Sequence, residues 1–285
     1  MQTIKNSRFS QRPSLRKIAI TVCAAALPAL GWAAPFAYQP EGDAALGGAK
    51  LGILDIATGQ STTQPLTDDF TSPSYISVNR AGTRVYLGGP FKSVVGIFDT
   101  RENSFSTVDI PNRGLIGIVS HPDSSRFYVG TSIGVLYEVN ALSKSVRAFP
   151  VAGSLNGVAI SKDGAYVYAA SAIDGAVYAV NTTDGSVSRY LLGASPSGSI
   201  AVSPDGLHFY VALGDEPKLA VVSTATKNIS TVPIGRGRAY TEGVAVSPVG
   251  DRVAVVNTTD GTLSIIDMSN RAAPSVTTEI GRAHV

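Results

Sequence analysis

A polar turn followed by an apolar, aromatic-rich run occurs five times in this sequence. The last copy reads SPVGDRVAVVN from Ser247, and the others begin at Asn79, Ser120, Ser161 and Ser203. The turns read NRAG, HPDS, SKDG, SPDG and SPVG, and their fourth residues fall at positions 82, 124, 164, 206 and 250, so successive copies are 42, 40, 42 and 44 residues apart. A fixed period in this range indicates a repeat architecture, in which each unit is one supersecondary motif that packs on its neighbours.

Each unit contains four short segments with the composition of β-strands. In the unit that begins near residue 155, the first segment (157–160) is small and apolar and the second (167–169) is bulkier. The third (178–181) ends in Asn, and the fourth (186–189) is more polar. This gradient fits blades that converge on an axis, because the innermost strand has the least room and the outermost strand is a solvated edge. A β-solenoid is the alternative architecture, but its repeat per coil is much shorter.

The segment 36–66, before the first complete unit, matches only three of the four strands. It begins with an equivalent of the second strand, and complete repeats then start near residues 74, 115, 155, 198 and 242. The first blade therefore lacks its innermost strand. We expect that strand to come from the C-terminal end of the natural chain, which would close the ring.

The repeat consensus is an apolar strand, a Ser-Pro-Asp-Gly turn, a Tyr-Val pair and a strand that ends in Asp. It resembles the YVTN-type β-propeller repeats of bacteria and archaea, including YncE-like exported proteins. The four-residue motif Tyr-Val-x-x of these repeats begins here at Tyr86, Tyr128, Tyr168 and Tyr210, and Ala254 replaces the tyrosine in the last repeat. The resemblance implies an all-β propeller of four-stranded blades over residues 34–278, with seven blades in the natural protein and about six present here. It implies little about chemistry, since this fold carries binding proteins, enzymes and scaffolds alike.

Residues 1–33 have the order of a secretory signal peptide. Lys5, Arg8, Arg12, Arg16 and Lys17 form a basic region, residues 18–30 form an apolar run too short to span a bilayer comfortably, and small residues precede a cleavage site after residue 33. We therefore expect a periplasmic, secreted or cell-surface bacterial protein without a transmembrane segment after cleavage. An uncleaved anchor helix is the alternative.

Cleavage changes the charge and the cysteine content of the chain. The first 33 residues hold five of the 23 Lys and Arg residues and none of the 21 Asp and Glu residues, so the mature chain carries a net charge of −3 instead of +2. The basic balance of the whole sequence therefore gives no indication of nucleic-acid binding. Cys23, the only cysteine, is also removed, so the mature chain has no disulfides.

The loops that lead into the first strands of the blades contain the candidate binding residues. Ligands of propellers usually meet the face made by these loops and by the loops between the second and third strands. Two arginines and a tyrosine on one loop could hold a carboxylate, a phosphate or a peptide backbone, although a solvated loop with local ion pairs is the alternative. The predicted ligand-binding residues are Arg236, Arg238, Tyr240, Glu242, Asn156 and Arg113.

Catalytic interpretations have less support in the sequence. His121 and His208 both lie at turns between the first and second strands, on the face opposite the predicted site. A calcium-dependent lactonase would need several carboxylate or amide ligands at the axis, and only Asn156 and Glu242 occupy such positions. We therefore expect a non-catalytic, monomeric propeller without a cofactor that binds a protein, a peptide or a cell-surface polymer. The alternatives are a periplasmic lactonase or hydrolase, and an accessory protein of an exported redox pathway.

The last seven residues, EIGRAHV at 279–285, resemble the translation of a common sequencing adapter. This predicts a non-native tail on a chain that lacks about one blade. The alternative is that Ile-Gly-Arg at 280–282 repeats Ile-Gly-Arg at 234–236.

Overall fold

The computed structural model describes residues 36–43, 48–67, 70, 73–151, 153–214, 216–234, 241–258 and 261–280, with the backbone alone at 42, 43, 48, 241, 242, 279 and 280. The described residues form β-strands joined by turns and loops. Within this part of the chain, no helix is long and apolar enough to cross a membrane. The predicted signal peptide at 1–33 lies outside the description, and so does most of the predicted tail.

The strands form six antiparallel sheets in chain order. Sheet one has three strands and each of the others has four, so the predicted all-β class and the four-stranded unit are confirmed. Sheet one contains β1 (Phe36–Asp43), β2 (Gly48–Asp55) and β3 (Ser61–Pro65); sheet two contains β4 (Tyr75–Val78), β5 (Arg84–Gly88), β6 (Val94–Asp99) and β7 (Ser104–Asp109); sheet three contains β8 (Leu115–Ser120), β9 (Arg126–Thr131), β10 (Val135–Asn140) and β11 (Val146–Pro150). Sheet four contains β12 (Gly157–Ile160), β13 (Tyr166–Ser171), β14 (Ala176–Asn181) and β15 (Val187–Leu191); sheet five contains β16 (Pro196–Val202), β17 (His208–Leu213), β18 (Lys218–Ser223) and β19 (Ile229–Pro233); sheet six contains β20 (Thr241–Val246), β21 (Arg252–Asn257), β22 (Thr262–Asp267) and β23 (Ser275–Ile280).

The sheets stand side by side around a central channel. The first strands of sheets two to six, β4, β8, β12, β16 and β20, contact one another in succession and line the channel. One apolar cluster lies between each pair of consecutive sheets, so the core consists of five separate layers rather than one centre. Each of the middle sheets is thus apolar on both faces, as strands buried on both sides must be.

The repeated tyrosines connect each sheet to the next. Tyr86 of sheet two stacks on Phe127 of sheet three, with ring centroids 4.1 Å apart. Tyr168 of sheet four contacts Phe209 of sheet five at 4.9 Å. An aromatic pair contributes stabilisation beyond that of the apolar area it buries, so these contacts stabilise the junctions between the blades.

The repeated turn has a common hydrogen-bond arrangement. The hydroxyls of Ser161, Ser203 and Ser247 each accept a hydrogen bond, at 3.0 Å, from the backbone N–H five residues later. Each of these hydroxyls also donates to an aspartate of the same turn. The fourth turn residue has a positive φ in every copy, which explains the preference for Gly at this position.

The backbones of the inner strands approach most closely between sheets four and five. A Cβ atom on Gly157 would lie 1.7 Å from the carbonyl oxygen of Gly198. At the equivalent position of sheet six, a Cβ atom on Gly243 would have no neighbour nearer than 3.6 Å. Only the first of these two glycines is therefore required by packing.

Sheets one and six each pack on one neighbour within the described part of the chain. No contact comparable with those between consecutive sheets joins sheet six to sheet one. Val256 of sheet six is 47% exposed, whereas Ala170 and Ala212, its equivalents in sheets four and five, are fully buried. The outer face of sheet six is thus accessible to solvent.

Candidate functional site

The predicted loop site lies largely outside the described residues. Arg236, Arg238 and Tyr240 are not described, and Glu242 is described only by its backbone in β20. Their role in binding stays a prediction.

Asn156 and Arg113, the two other predicted site residues, occupy different environments. Asn156 lines the central channel, a space of about 600 Å³, and its amide nitrogen donates to the Pro196 carbonyl at 2.9 Å. Its side-chain oxygen is buried and has no hydrogen-bond partner among the described residues. Arg113 is exposed and is not among the residues that line the channel.

A cleft of about 680 Å³ opens between sheets four and five, at the end that carries the turns between the first and second strands. We call it the tyrosine cleft. One wall is made by side chains of sheet four, and the other by two turns of sheet five, at 204–206 and 224–227. The sheet-four wall consists of Tyr166, Tyr168, Ala179, Ser188 and Tyr190, with Ser161, Lys162 and Asp163 of the preceding turn.

Sheet four has an unusually small residue at one position that lines the cleft. Ala179 pairs with the repeated Tyr168 on the neighbouring strand. Sheet six also presents a space of about 630 Å³ at the equivalent place, lined by Ala254 and Ile265. In every other described sheet the residue equivalent to Ala179 is larger. These equivalents are Ile53, Ile97, Glu138, Val221 and Ile265.

The aromatic side chains of the cleft form a stepped surface. Tyr166 is 40% exposed, and its ring lies 6.5 Å from that of Tyr168, which is almost fully buried. The Tyr190 hydroxyl donates to the Thr224 carbonyl at 3.0 Å, which joins the two walls. The Lys227 ammonium lies 5.1 Å from the Tyr190 ring centroid. Tyr166 therefore offers an accessible ring on a rigid base.

The carboxylates beside the cleft are engaged in local contacts. Hydrogen bonds from the Ser161 hydroxyl and the Ala165 amide lower the pKa of Asp163. Burial alone would raise the pKa of Asp205, but hydrogen bonds from Ser203 and Arg271 lower it to about 2. The Arg271 guanidinium lies 2.7 Å from the Asp205 carboxylate. Both carboxylates are thus ionised at neutral pH, and the charge of Asp205 is balanced by the Arg271 guanidinium.

Two cations at the inner end of the cleft remain without such contacts. Arg80 and Lys162 are exposed, and their side chains make no hydrogen bond or ion pair with other described residues. Both also line a second space of about 330 Å³, at the ends of the inner strands of sheets two, three and four. We call this space the channel-mouth pocket. His121 is the third basic residue that lines the channel-mouth pocket. Among the described residues, no carboxylate lines this pocket.

The histidines of the described residues do not form a triad with a serine. The Nδ1 atom of His121 lies 2.7 Å from the Asp123 carboxylate, and burial lowers the pKa of His208. Among the described residues, no group of three or more His, Cys, Asp and Glu side chains is placed to hold a metal ion. The arrangement at the tyrosine cleft suits binding: an exposed ring, hydroxyls and uncompensated positive charge.

Sequence reasoning missed the tyrosine cleft because its accessible ring, Tyr166, is not one of the repeated tyrosines. A signal was present in the alignment of the units. Tyr166 occupies a position that is Arg84, Arg126, His208 or Arg252 in sheets two, three, five and six, and Ala179 is the smallest residue at its own position. Departures of one repeat from the pattern of the others therefore indicated the site.

Comparison with known proteins identifies the fold and no closer relationship. No family model matches the sequence, and no curated protein matches it. Hydrazine synthase of Kuenenia stuttgartiensis is similar in structure, with a TM-score of 0.70, 16% identity, and coverage of 78% of this chain and 72% of that one. The β-propeller domain of Cps50 (Swd1) from Myceliophteria thermophila has a TM-score of 0.71 and 13% identity, with coverage of 86% of this chain and 82% of the domain. Together with the six antiparallel sheets around a channel, these similarities show that the protein is a β-propeller.

Proposed function

We propose that this β-propeller is an exported, non-catalytic binding protein that holds a protein, a peptide or a cell-surface polymer. The observation that carries the proposal is the tyrosine cleft between sheets four and five, which is lined by the small Ala179 and presents the exposed ring of Tyr166. Its volume of about 680 Å³ falls in the range of ligand-binding clefts. The basic, apolar and small-residue order of residues 1–33 supports export.

The sequence-predicted loop at 235–242 is a second candidate contact in this proposal. It would meet the ligand or partner from the opposite face of the propeller. Replacement of Arg236 and Arg238 by alanine tests that contact separately from the cleft.

Photo-crosslinking in the producing cell tests the proposed function. Ala225, an exposed residue of the cleft wall, is replaced by p-benzoylphenylalanine, and Arg101, an exposed residue of sheet two, is replaced in the same way as a control. We expect adducts at position 225 and not at position 101. The adducts should disappear when Ala179→Ile fills the cleft, a change that restores the residue of sheets one, two and six.

Two results would refute the proposal. One is equal adduct formation at positions 225 and 101, and the other is an adduct at 225 that persists in the Ala179→Ile background. The melting temperature of each variant shows whether the protein is still folded.

A further inference from the structure

We propose that the tyrosine cleft and the channel-mouth pocket form one continuous site for an acidic polysaccharide, with a pyranose ring on Tyr166 and its carboxylate between Arg80 and Lys162. This inference rests on the proposed function and adds the class of ligand. The two spaces share Arg80, Ser161 and Lys162, so a chain that leaves one enters the other.

The ring platform is the first argument for a sugar. The apolar C–H face of a pyranose packs on an aromatic ring, while its hydroxyls need polar partners at the rim. Tyr166 provides an accessible ring, and the Ser188 hydroxyl is exposed within the same cleft. The contact of Tyr166 with the buried Tyr168 ring holds the platform in place.

The charge distribution is the second argument, and it indicates an acidic sugar. Arg80 and Lys162 both line the two spaces and have no carboxylate partner among the described residues. Of the two carboxylates that line the cleft, Asp205 is paired with Arg271, so Asp163 is the one that remains against the cations Arg80, Lys162 and Lys227. The mature chain has an excess of acidic residues, so this local excess of positive charge is opposite to that of the whole molecule.

The pairing of the cleft strands limits where an extended peptide could bind. Peptides that bind to β-sheet proteins commonly pair their backbone with an exposed strand edge. Here β13 and β14 are paired on both sides, so the only edge that sheet four offers beside the cleft, among the described residues, is that of β15, which contributes Ser188 and Tyr190. A ligand that is recognised through rings, hydroxyls and carboxylates fits these walls better.

Titration calorimetry with hexagalacturonate tests the inference on the purified mature protein. Its methyl ester serves as the matched neutral sugar, and hexaglutamate serves as a polyanion without rings. We expect the acid sugar to bind at least tenfold more tightly than either control. Raising the salt concentration from about 0.05 M to about 0.5 M should weaken its binding.

Variants locate the two parts of the site. Tyr166→Ala should weaken binding of hexagalacturonate about tenfold, whereas Tyr166→Phe should retain it because the ring remains. Replacement of both Arg80 and Lys162 by glutamine should weaken binding and remove most of its salt dependence. Phe91→Ala and Arg101→Gln, which alter exposed residues of sheet two, should bind as the unaltered protein does.

The failure of this inference is distinguishable from that of the proposed function. Equal binding of the methyl ester or of hexaglutamate, or an unchanged affinity in Tyr166→Ala, would overturn the assignment of an acidic sugar. If hexagalacturonate does not bind while crosslinks at position 225 still depend on Ala179, the ligand is a protein or another polymer and the proposed function stands. If both experiments fail, neither proposal holds.

Discussion

At the scale of single residues, two equivalent tyrosines differ in whether their hydroxyl has a partner. Tyr86 is fully buried, and its hydroxyl has no hydrogen-bond partner among the described residues. Burial raises its pKa to about 12. Tyr128 is also fully buried, but its hydroxyl donates to the Glu138 carboxylate at 2.6 Å. The tyrosine hydroxyl at this position of the repeat therefore lowers the stability of the fold in sheet two and raises it in sheet three.

We predict that Tyr86→Phe stabilises the protein by about 1 kcal/mol, because it removes a buried polar group without a partner. Tyr128→Phe should destabilise it by about 1–2 kcal/mol, since a charged acceptor loses its donor. Urea unfolding followed by circular dichroism measures both changes. An equal loss of stability in the two variants would contradict the prediction.

At the scale of elements, the contact between the inner strands of sheets four and five depends on a missing side chain. Gly157 of β12 faces the Gly198 carbonyl of β16, where a Cβ atom would overlap an oxygen. Gly157 is paired with Ala170 in its own sheet, whereas Gly198 lies in a bulge of β16 between Pro196 and Ile200. This junction is thus less tolerant of change than its counterpart in sheet six.

We predict that Gly157→Ala destabilises the protein by about 2–3 kcal/mol through overpacking. Gly243→Ala is the matched control, because it adds the same atom at the equivalent position where the nearest neighbour is 3.6 Å away. That variant should change the free energy of unfolding by less than about 0.5 kcal/mol. A small change in both variants would contradict the prediction and would show that a backbone shift relieves the clash.

The elements themselves were largely predictable from the sequence, and the cleft was not. The composition of each repeat reveals which segments are strands, since burial on both faces demands an apolar run. β16 begins at Pro196, two residues before the repeat start predicted near 198, and it contains a bulge before Ile200 that the repeat pattern did not indicate. The departures at Tyr166 and Ala179 are visible when the repeats are compared, but the facing wall of the cleft consists of turns of sheet five, and their position against sheet four is given only by the fold.

At the scale of the whole molecule, stability is distributed along a row of layers. Each of sheets two to five packs on two neighbours, whereas sheets one and six pack on one within the described residues. Proteins built from stacked units open from the ends, because the terminal units have a single interface. Local stability should therefore fall from the middle sheets outward.

We predict that amide hydrogens of β14 exchange roughly tenfold more slowly than those of β22. The two strands are equivalent third strands, each paired on both sides within its sheet. Hydrogen exchange read by mass spectrometry gives the comparison, and β10 provides a second middle strand. Equal protection of β14 and β22 would show that the outer face of sheet six is covered in solution.

The small side chain at position 179 suggests how a propeller of this kind can gain a second binding cleft. Under the proposed function, binding occurs at a cleft whose lining differs from the repeat pattern at Ala179, so the same change is transferable to another junction. The junction of sheets five and six already has a tyrosine at 210 and a serine at 230, and there Val221 fills the space that Ala179 leaves empty. Replacement of Val221 by alanine would open a second cleft beside the first. A repetitive polymer held at two adjacent grooves would then dissociate far more slowly than its affinity for either groove alone implies.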